Sequence, residues 1–371
     1  MQRVESVISK LPCDAVILDG KPSCKEVSPK WTHRKASWTW KLIILVALGL
    51  SGMYVCISGV EKRVMHHKRV FSMASGNKVR TRIPCSNLNL VEGLSLHYPQ
   101  PRTFDRKDCS CLPVHNFVIF SMQRSGSGWF ETLLNSHPNI SSHGEVFSVD
   151  GRRESASTIT KTLNNLYNLD WISSASKNDC TAAVGLKWML NQGVMAYNRE
   201  IATYLKDNSV SVIFLFRKNI LRRYVSILAN SFDRVAKQLN GTHLAHVHSK
   251  EEAKVLEAYK PVVNLTSLIP YLQRVEEIIG DAHSFFKETR HMTVFYEDLV
   301  ANPRKELRKA LKFLGVKPSK LESKHVKIHT RPLHEQIDNW EDLNEYLKGT
   351  RYEIFLKGKD YGWQIMPFLM L

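Results

Sequence analysis

Asn116 to His137 reads NFVIFSMQRSGSGWFETLLNSH, and the fold turns on how that stretch is read. Phe117 to Phe120 is an uninterrupted apolar run, the pattern of a strand buried on both faces. Gln123-Arg124-Ser125-Gly126-Ser127-Gly128 follows as a turn of small and polar residues. Trp129, Phe130, Leu133 and Leu134 then recur at helical spacing. Strand, small-residue turn and helix make the layout of a phosphate cradle. Glycine lets the backbone approach an anion, and the first turn of a helix offers unpaired N–H groups and the positive end of a dipole. Ser125 and Ser127 add hydroxyl donors, and Arg124 adds a fixed positive charge. A Walker A loop is excluded, because GxxxxGK[ST] needs a Lys that this turn lacks. An ordinary strand–helix connection would use the same turn residues, so spacing alone leaves both readings open.

Further along, Ala183 to Leu190 and Val210 to Phe216 read as core strands, the second ended by Arg217. Ile220, Leu221, Tyr224 and Leu228 follow at helical spacing. Residues 152–182 read as helix and loop, and 249–260 and 267–290 as helices. Met292 to Val300 is a further expected strand. A helix after Asn302-Pro303 carries Leu307, Leu311 and Leu314 and stops at Gly315. Strands alternating with helices predict an α/β fold, a parallel central sheet with helices on both faces. Ligands of such sheets sit beyond the carboxyl ends of the strands, where Arg124 and Arg217 both fall.

Outside this domain the chain changes character. Leu42 to Val60 is a run of 19 residues without a charge, long enough to span a bilayer, with Trp31, Trp38 and Trp40 at its upstream edge. Lys30, Arg34, Lys35 and Lys41 before it balance Lys62, Arg63, Lys68 and Arg69 after it, so charge leaves its orientation undecided. Residues 61–111 are polar and basic and read as a stem. The formal charge is +17, with 18 Lys and Arg against 8 Asp and Glu in residues 1–111. A basic chain can bind nucleic acid, a membrane surface or an acidic ligand. No zinc-finger spacing or RNA-binding signature accompanies the charge, which disfavours nucleic acid. Cys85, Cys109, Cys111 and Cys180 follow the apolar run; Cys109 and Cys111 are too close to pair with each other, so each would seek Cys85 or Cys180.

The residues from Arg124 to Trp129 resemble the 5′-phosphosulfate loop of sulfotransferases that use 3′-phosphoadenosine 5′-phosphosulfate (PAPS). There a basic residue, a hydroxyl residue, Gly and further hydroxyls precede an aromatic. Arg124, Ser125, Gly126, Ser127 and Trp129 match, and Gly128 stands where many members carry a second hydroxyl. Arg217 and Ser226 resemble the family's 3′-phosphate signature, a guanidinium at a strand end and a hydroxyl from the next helix. Their spacing is nine residues, where many members show eight. Asn219, Leu221, Arg222 and Tyr224 look nearest to the nodulation-type branch. "Tyr-Glu-Asp-Leu", Pro and helix at 296–314 resembles a scaffold segment of the family, so Glu297 and Asp298 are assigned no chemistry.

The resemblance implies further expectations. Glu145, after Gly144, would be the general base that takes the acceptor proton, with His143 as second candidate. Lys187 would meet the sulfonate from a strand end, and Lys327 and Arg331 would reach a phosphate from a C-terminal loop. His243, His246 and His248 are read as loop residues, and no metal is expected. The expected organisation is a cytosolic tail (1–41), a signal-anchor span (42–60), a stem (61–111) and a lumenal catalytic domain (112–371). This is the type II plan of Golgi membrane enzymes that sulfate a glycan or other hydroxyl acceptor. Rival readings are a P-loop kinase or NTPase, which lacks its Walker Lys here, and a type II glycosyltransferase or glycan-binding protein. A metal-dependent glycosyltransferase would usually carry Asp-x-Asp, and no such triplet occurs.

Overall fold

A computed structural model describes residues 96–106, 109–171 and 180–356. Five strands, β1 (His115–Ser121), β2 (Ile140–Ser142), β3 (Ala183–Met189), β4 (Ser211–Phe216) and β5 (His291–Phe295), form one sheet in the order β2-β3-β1-β4-β5. All neighbours run parallel. Parallel neighbours require crossovers, and helices supply them. They are α1 (Ser127–Asn135), α2 (Ala156–Tyr167), α3 (Asn198–Asp207), α4 (Ile220–Ala236), α5 (Lys250–Glu257), α6 (Leu265–Phe285), α7 (Tyr296–Ala301), α8 (Pro303–Phe313) and α9 (Trp340–Leu347).

The two faces of the sheet carry separate cores, as a doubly covered sheet must. Val118 and Phe120 of β1 pack with Trp188, Val212 and Phe214 beneath α2, α3, α4 and α6. Phe117 and Ile119 point the other way, toward Phe130, Leu133 and Leu134 of α1 and Leu307 and Leu311 of α8. Side chains alternate along a strand, so the apolar run of β1 feeds both cores. Each such fully buried side chain contributes about 1.5–3 kcal/mol. Lys187 lies on the α1 side of β3, where Glu131 of α1 meets its ammonium at 3.4 Å.

The topology fixes where a ligand can bind. From β1 the chain builds outward through β2 and β3 on one side and through β4 and β5 on the other. The crevice at that reversal opens at the carboxyl ends of β1 and β4. Ser121 and Leu215 are paired there, and Ser121 Oγ donates to Leu215 O at 2.7 Å.

One element departs from the sequence reading. Met292 to Val300 was expected as one strand, but β5 ends at Phe295 and α7 begins at Tyr296. The cause is pairing: Phe295 faces Phe216, the last residue of β4, so the ladder has no partner beyond it. Before β1, His97 bridges to Val114, and a disulfide joins Cys109 to Cys180 with Cα atoms 5.3 Å apart. Arg102 pairs with Asp170 at 3.3 Å, fastening residues read as stem to the end of α2. No helix among the described residues is long and apolar enough to cross a membrane, and the 42–60 span lies outside those residues.

Candidate active site

The turn between β1 and α1 is shaped by two left-handed residues, Arg124 at φ 63° and Gly126 at φ 81°. Gly126 is needed for space as well as conformation. A Cβ there would stand 2.3 Å from the Tyr296 ring. Ser127 opens α1 and is buried, and Ser125 is 1% exposed. The Ser125 hydroxyl has no hydrogen-bond partner among the described residues. A buried orphan hydroxyl beside the first turn of a nine-residue helix is a site prepared for an anion's oxygen.

Arg124 reaches across this turn toward α4. Its Nε donates to Ser226 Oγ at 3.0 Å, and its Nη1 donates to Asn230 Oδ1 at 3.3 Å and to Ala245 O at 2.8 Å. At the nine-residue spacing, Ser226 Oγ meets the Arg124 guanidinium. Asn219 caps α4 by accepting from Arg222 N, and Ser226 falls on the helix face turned to Arg124.

Arg217 ends β4 beside this group. Its guanidinium lies 4.9 Å from the centre of the Tyr296 ring, the ring that covers Gly126. Glu297 holds the arginine in place: its Oε1 is 3.5 Å from Arg217 Nε, and the same carboxylate accepts from Lys218 N at 2.8 Å and Asn219 N at 3.2 Å. The two arginines feel each other. Burial, and then the Arg217 charge, lower the Arg124 pKa to about 10. His329 joins the group, its pKa lowered to about 4 by burial and by Arg124 and Arg217. Lys327 adds its charge to the same neighbourhood. Arg331 is differently engaged: its Nη2 donates to Glu257 O at 2.6 Å, and its backbone N to Glu257 Oε1 at 3.1 Å.

A second set of groups lies along β3. Lys187 sits between two carboxylates, 3.2 Å from Glu145 Oε1 and 3.4 Å from Glu131 Oε2. Glu131 also accepts from Ser142 Oγ at 2.6 Å and Gly144 N at 2.8 Å. Glu145 accepts from Gln192 Nε2 at 2.9 Å and stays half-exposed. Its position is braced from below, where Phe147 stacks on Trp188 at 3.9 Å. His143 is buried, and desolvation lowers its pKa to about 4.

One residue borders both sets. His246 feels both the Arg124 and Lys187 charges, so it lies near both. Gly128 leaves room for that ring: a Cβ there would be 2.5 Å from His246 Nε2. Trp129 packs edge-on against Tyr296 at 6.3 Å. The structure thus gathers Arg124, Ser125, Gly126, Ser127, Gly128, Trp129, Arg217 and Ser226 at one end and Lys187 with Glu145 at the other. Glu131, Tyr296, His246 and His329 belong to the cleft and were not singled out from sequence as its members. Among the described residues no group of three or more His, Cys, Asp and Glu could hold a metal.

Residues 115–337 match the sulfotransferase domain family. Nodulation protein H of Rhizobium tropici is 24% identical over 252 residues, covering 66% of this chain and 94% of that protein. Nodulation protein H of Rhizobium meliloti is 22% identical over 253 residues, covering 67% and 97%. Solved structures of low overall similarity include a sulfotransferase from Alicyclobacillus acidocaldarius, with a TM-score of 0.34, 13% identity and coverage of 65% of this chain and 94% of that one. Mouse sulfotransferase SULT7A1 complexed with PAP gives 0.30, 15% identity and coverage of 69% and 78%.

Proposed function

The chain belongs to the sulfotransferase domain family and is an enzyme of that class, and from that premise we propose that it moves a sulfuryl group from PAPS to a hydroxyl of a carbohydrate or glycoconjugate. The residues present suit such a donor. Two phosphates need two cationic sites a nucleoside apart, and the cleft offers Arg217 with Ser226 for one and the α1 turn for the other. The orphan Ser125 hydroxyl and the mutual repulsion of Arg124 and Arg217 both call for an anion.

PAPS supplies the activated sulfur; the chain supplies position and charge. Ser125, Ser127 and the first amides of α1 hold the 5′-phosphate. Arg217, fixed by Glu297, and Ser226 hold the 3′-phosphate. Arg124, beside the α1 turn, stabilises the negative charge that gathers on the bridging oxygen as the S–O bond breaks. Glu145 accepts the proton of the attacking hydroxyl. Lys187 aims that carboxylate and places a cation next to the sulfonate.

The observation that carries this reading is the convergence of Arg124, Arg217 and the Lys187–Glu145 pair on one cleft at the ends of neighbouring strands. Incubating the purified protein with sulfate-35-labelled PAPS and a panel of glycans tests it. Label on at least one glycan is expected; none, from folded protein that binds PAP, would count against a glycan acceptor. In thermal shift, PAP should stabilise the protein more than ATP with Mg²⁺ or nucleotide sugars do. We further place the protein in the Golgi membrane as a type II single-pass enzyme anchored by 42–60. The Cys109–Cys180 disulfide supports an oxidising compartment.

A further inference from the structure

We propose that His246 is a donor-binding residue: a strap carries its imidazole to the space left open at Gly128, where it hydrogen-bonds the 5′-phosphate held at the start of α1. This rests on the PAPS reading above.

The strap is built from two distant loops. Val247 and Val326 form an antiparallel bridge, with Val326 N donating to Val247 O at 2.9 Å. Val247 is fully buried and packs with Ala253 and Leu256 against Leu239, Val326 and Ile328. That small core is separate from the two cores of the sheet. With Val247 turned into it, the preceding residue turns out, toward the phosphate loop. Ala245 O is tied there by Arg124 Nη1 at 2.8 Å.

The ring that results is placed for a ligand. Its Nε2 and Cε1 lie 2.5 and 2.6 Å from where a Cβ on Gly128 would be, so residue 128 must lack a side chain for the imidazole to lie there. The ring stacks on His325 at 4.7 Å and 12°, which fixes its plane. No described residue hydrogen-bonds either ring nitrogen, and the residue stays open to the cleft. The nearby Ser125 hydroxyl, buried and unpartnered, independently marks the same turn as a ligand site. Arg124, Lys187, His325 and His248 all face the ring, and with desolvation they lower its pKa to about 3. At neutral pH it is a neutral N–H donor rather than another cation.

Calorimetry of PAP binding to the full-length protein tests this. His246→Ala should weaken PAP by roughly tenfold or more, the loss of one hydrogen bond to a charged group. His246→Gln, which keeps a neutral N–H donor, should recover most of that. Gly128→Ala should push the ring aside and weaken PAP comparably. Combined with His246→Ala it should cost little more than either change alone, because both remove the same contact. The KM for PAPS should rise by the same factor, with kcat changed less. PAP binding by folded His246→Ala within twofold of wild type would overturn the role of His246, as would losses that multiply in the double variant. Failure of the wild-type protein to bind PAP would instead overturn the PAPS reading and this proposal with it.

Discussion

The two ends of the cleft are built on opposite electrostatic plans. At the β1–β4 end, Arg124, Arg217 and His329 crowd together, with Glu297 as the buried carboxylate set against Arg217. At the β3 end, Lys187 is held between Glu131 and Glu145, so one cation meets two carboxylates and the cluster is formally acidic. The first end gathers more cationic than anionic groups, and the second the reverse. The contrast fits a division of labour under the proposed function: the cationic end would bind the charged donor, and the acidic end would handle the neutral hydroxyl and its proton.

Substitutions should expose this contrast in different readouts. Glu145→Gln removes the proton acceptor and keeps the shape. Turnover should fall on the order of 10²–10⁴-fold while PAP affinity holds. A turnover within tenfold of wild type would shift the base role to another group. Arg124→Ala should cost on the order of 10²–10³-fold in turnover. Because it relieves repulsion with Arg217, the melting temperature should hold steady or rise. A marked drop in melting temperature would show that the arginine mainly supports the fold.

Lys187→Met should behave in the reverse way on stability. It leaves Glu131 buried without its cation, a loss of about 3 kcal/mol that urea unfolding can measure. Unchanged stability would mean that Lys187 does not compensate the buried Glu131 as described. The smallest effect is expected for Ser226→Ala, about 1 kcal/mol or roughly fivefold in PAP affinity. No change there would remove Ser226 from the 3′-phosphate site.

How far the cleft could be read from sequence follows the same geography. The β1–turn–α1 unit is local, and its apolar run, Gly126 and hydroxyls are contiguous, so the cradle was legible. Arg217 was legible because it ends an unmistakable strand. Ser226 could be read because it lies on α4, whose Asn219 cap fixes the phase that turns its hydroxyl toward Arg124. The misses are non-local. Tyr296 looked like the middle of a strand, and only the end of β4 shows why a helix starts there and turns that ring onto Gly126. His246 reads as one of several histidines in a polar loop; its place depends on a bridge to Val326, and no periodicity reports such a contact. Glu131 sits in an amphipathic helix like any surface carboxylate, and only Lys187 on the neighbouring strand reveals its role.

The central claim is that the α1 turn beside Arg124 and the Arg217 site grip one nucleotide by its two phosphates. Calorimetric titration of the full-length protein with PAP, adenosine 5′-phosphate and adenosine 3′-phosphate tests it most directly. PAP should bind at least about tenfold more tightly than either monophosphate, a gap of about 1.4 kcal/mol. Arg217→Ala should erase the advantage over adenosine 5′-phosphate. If PAP binds no better than the monophosphates, the two arginines do not serve one ligand and the account is contradicted.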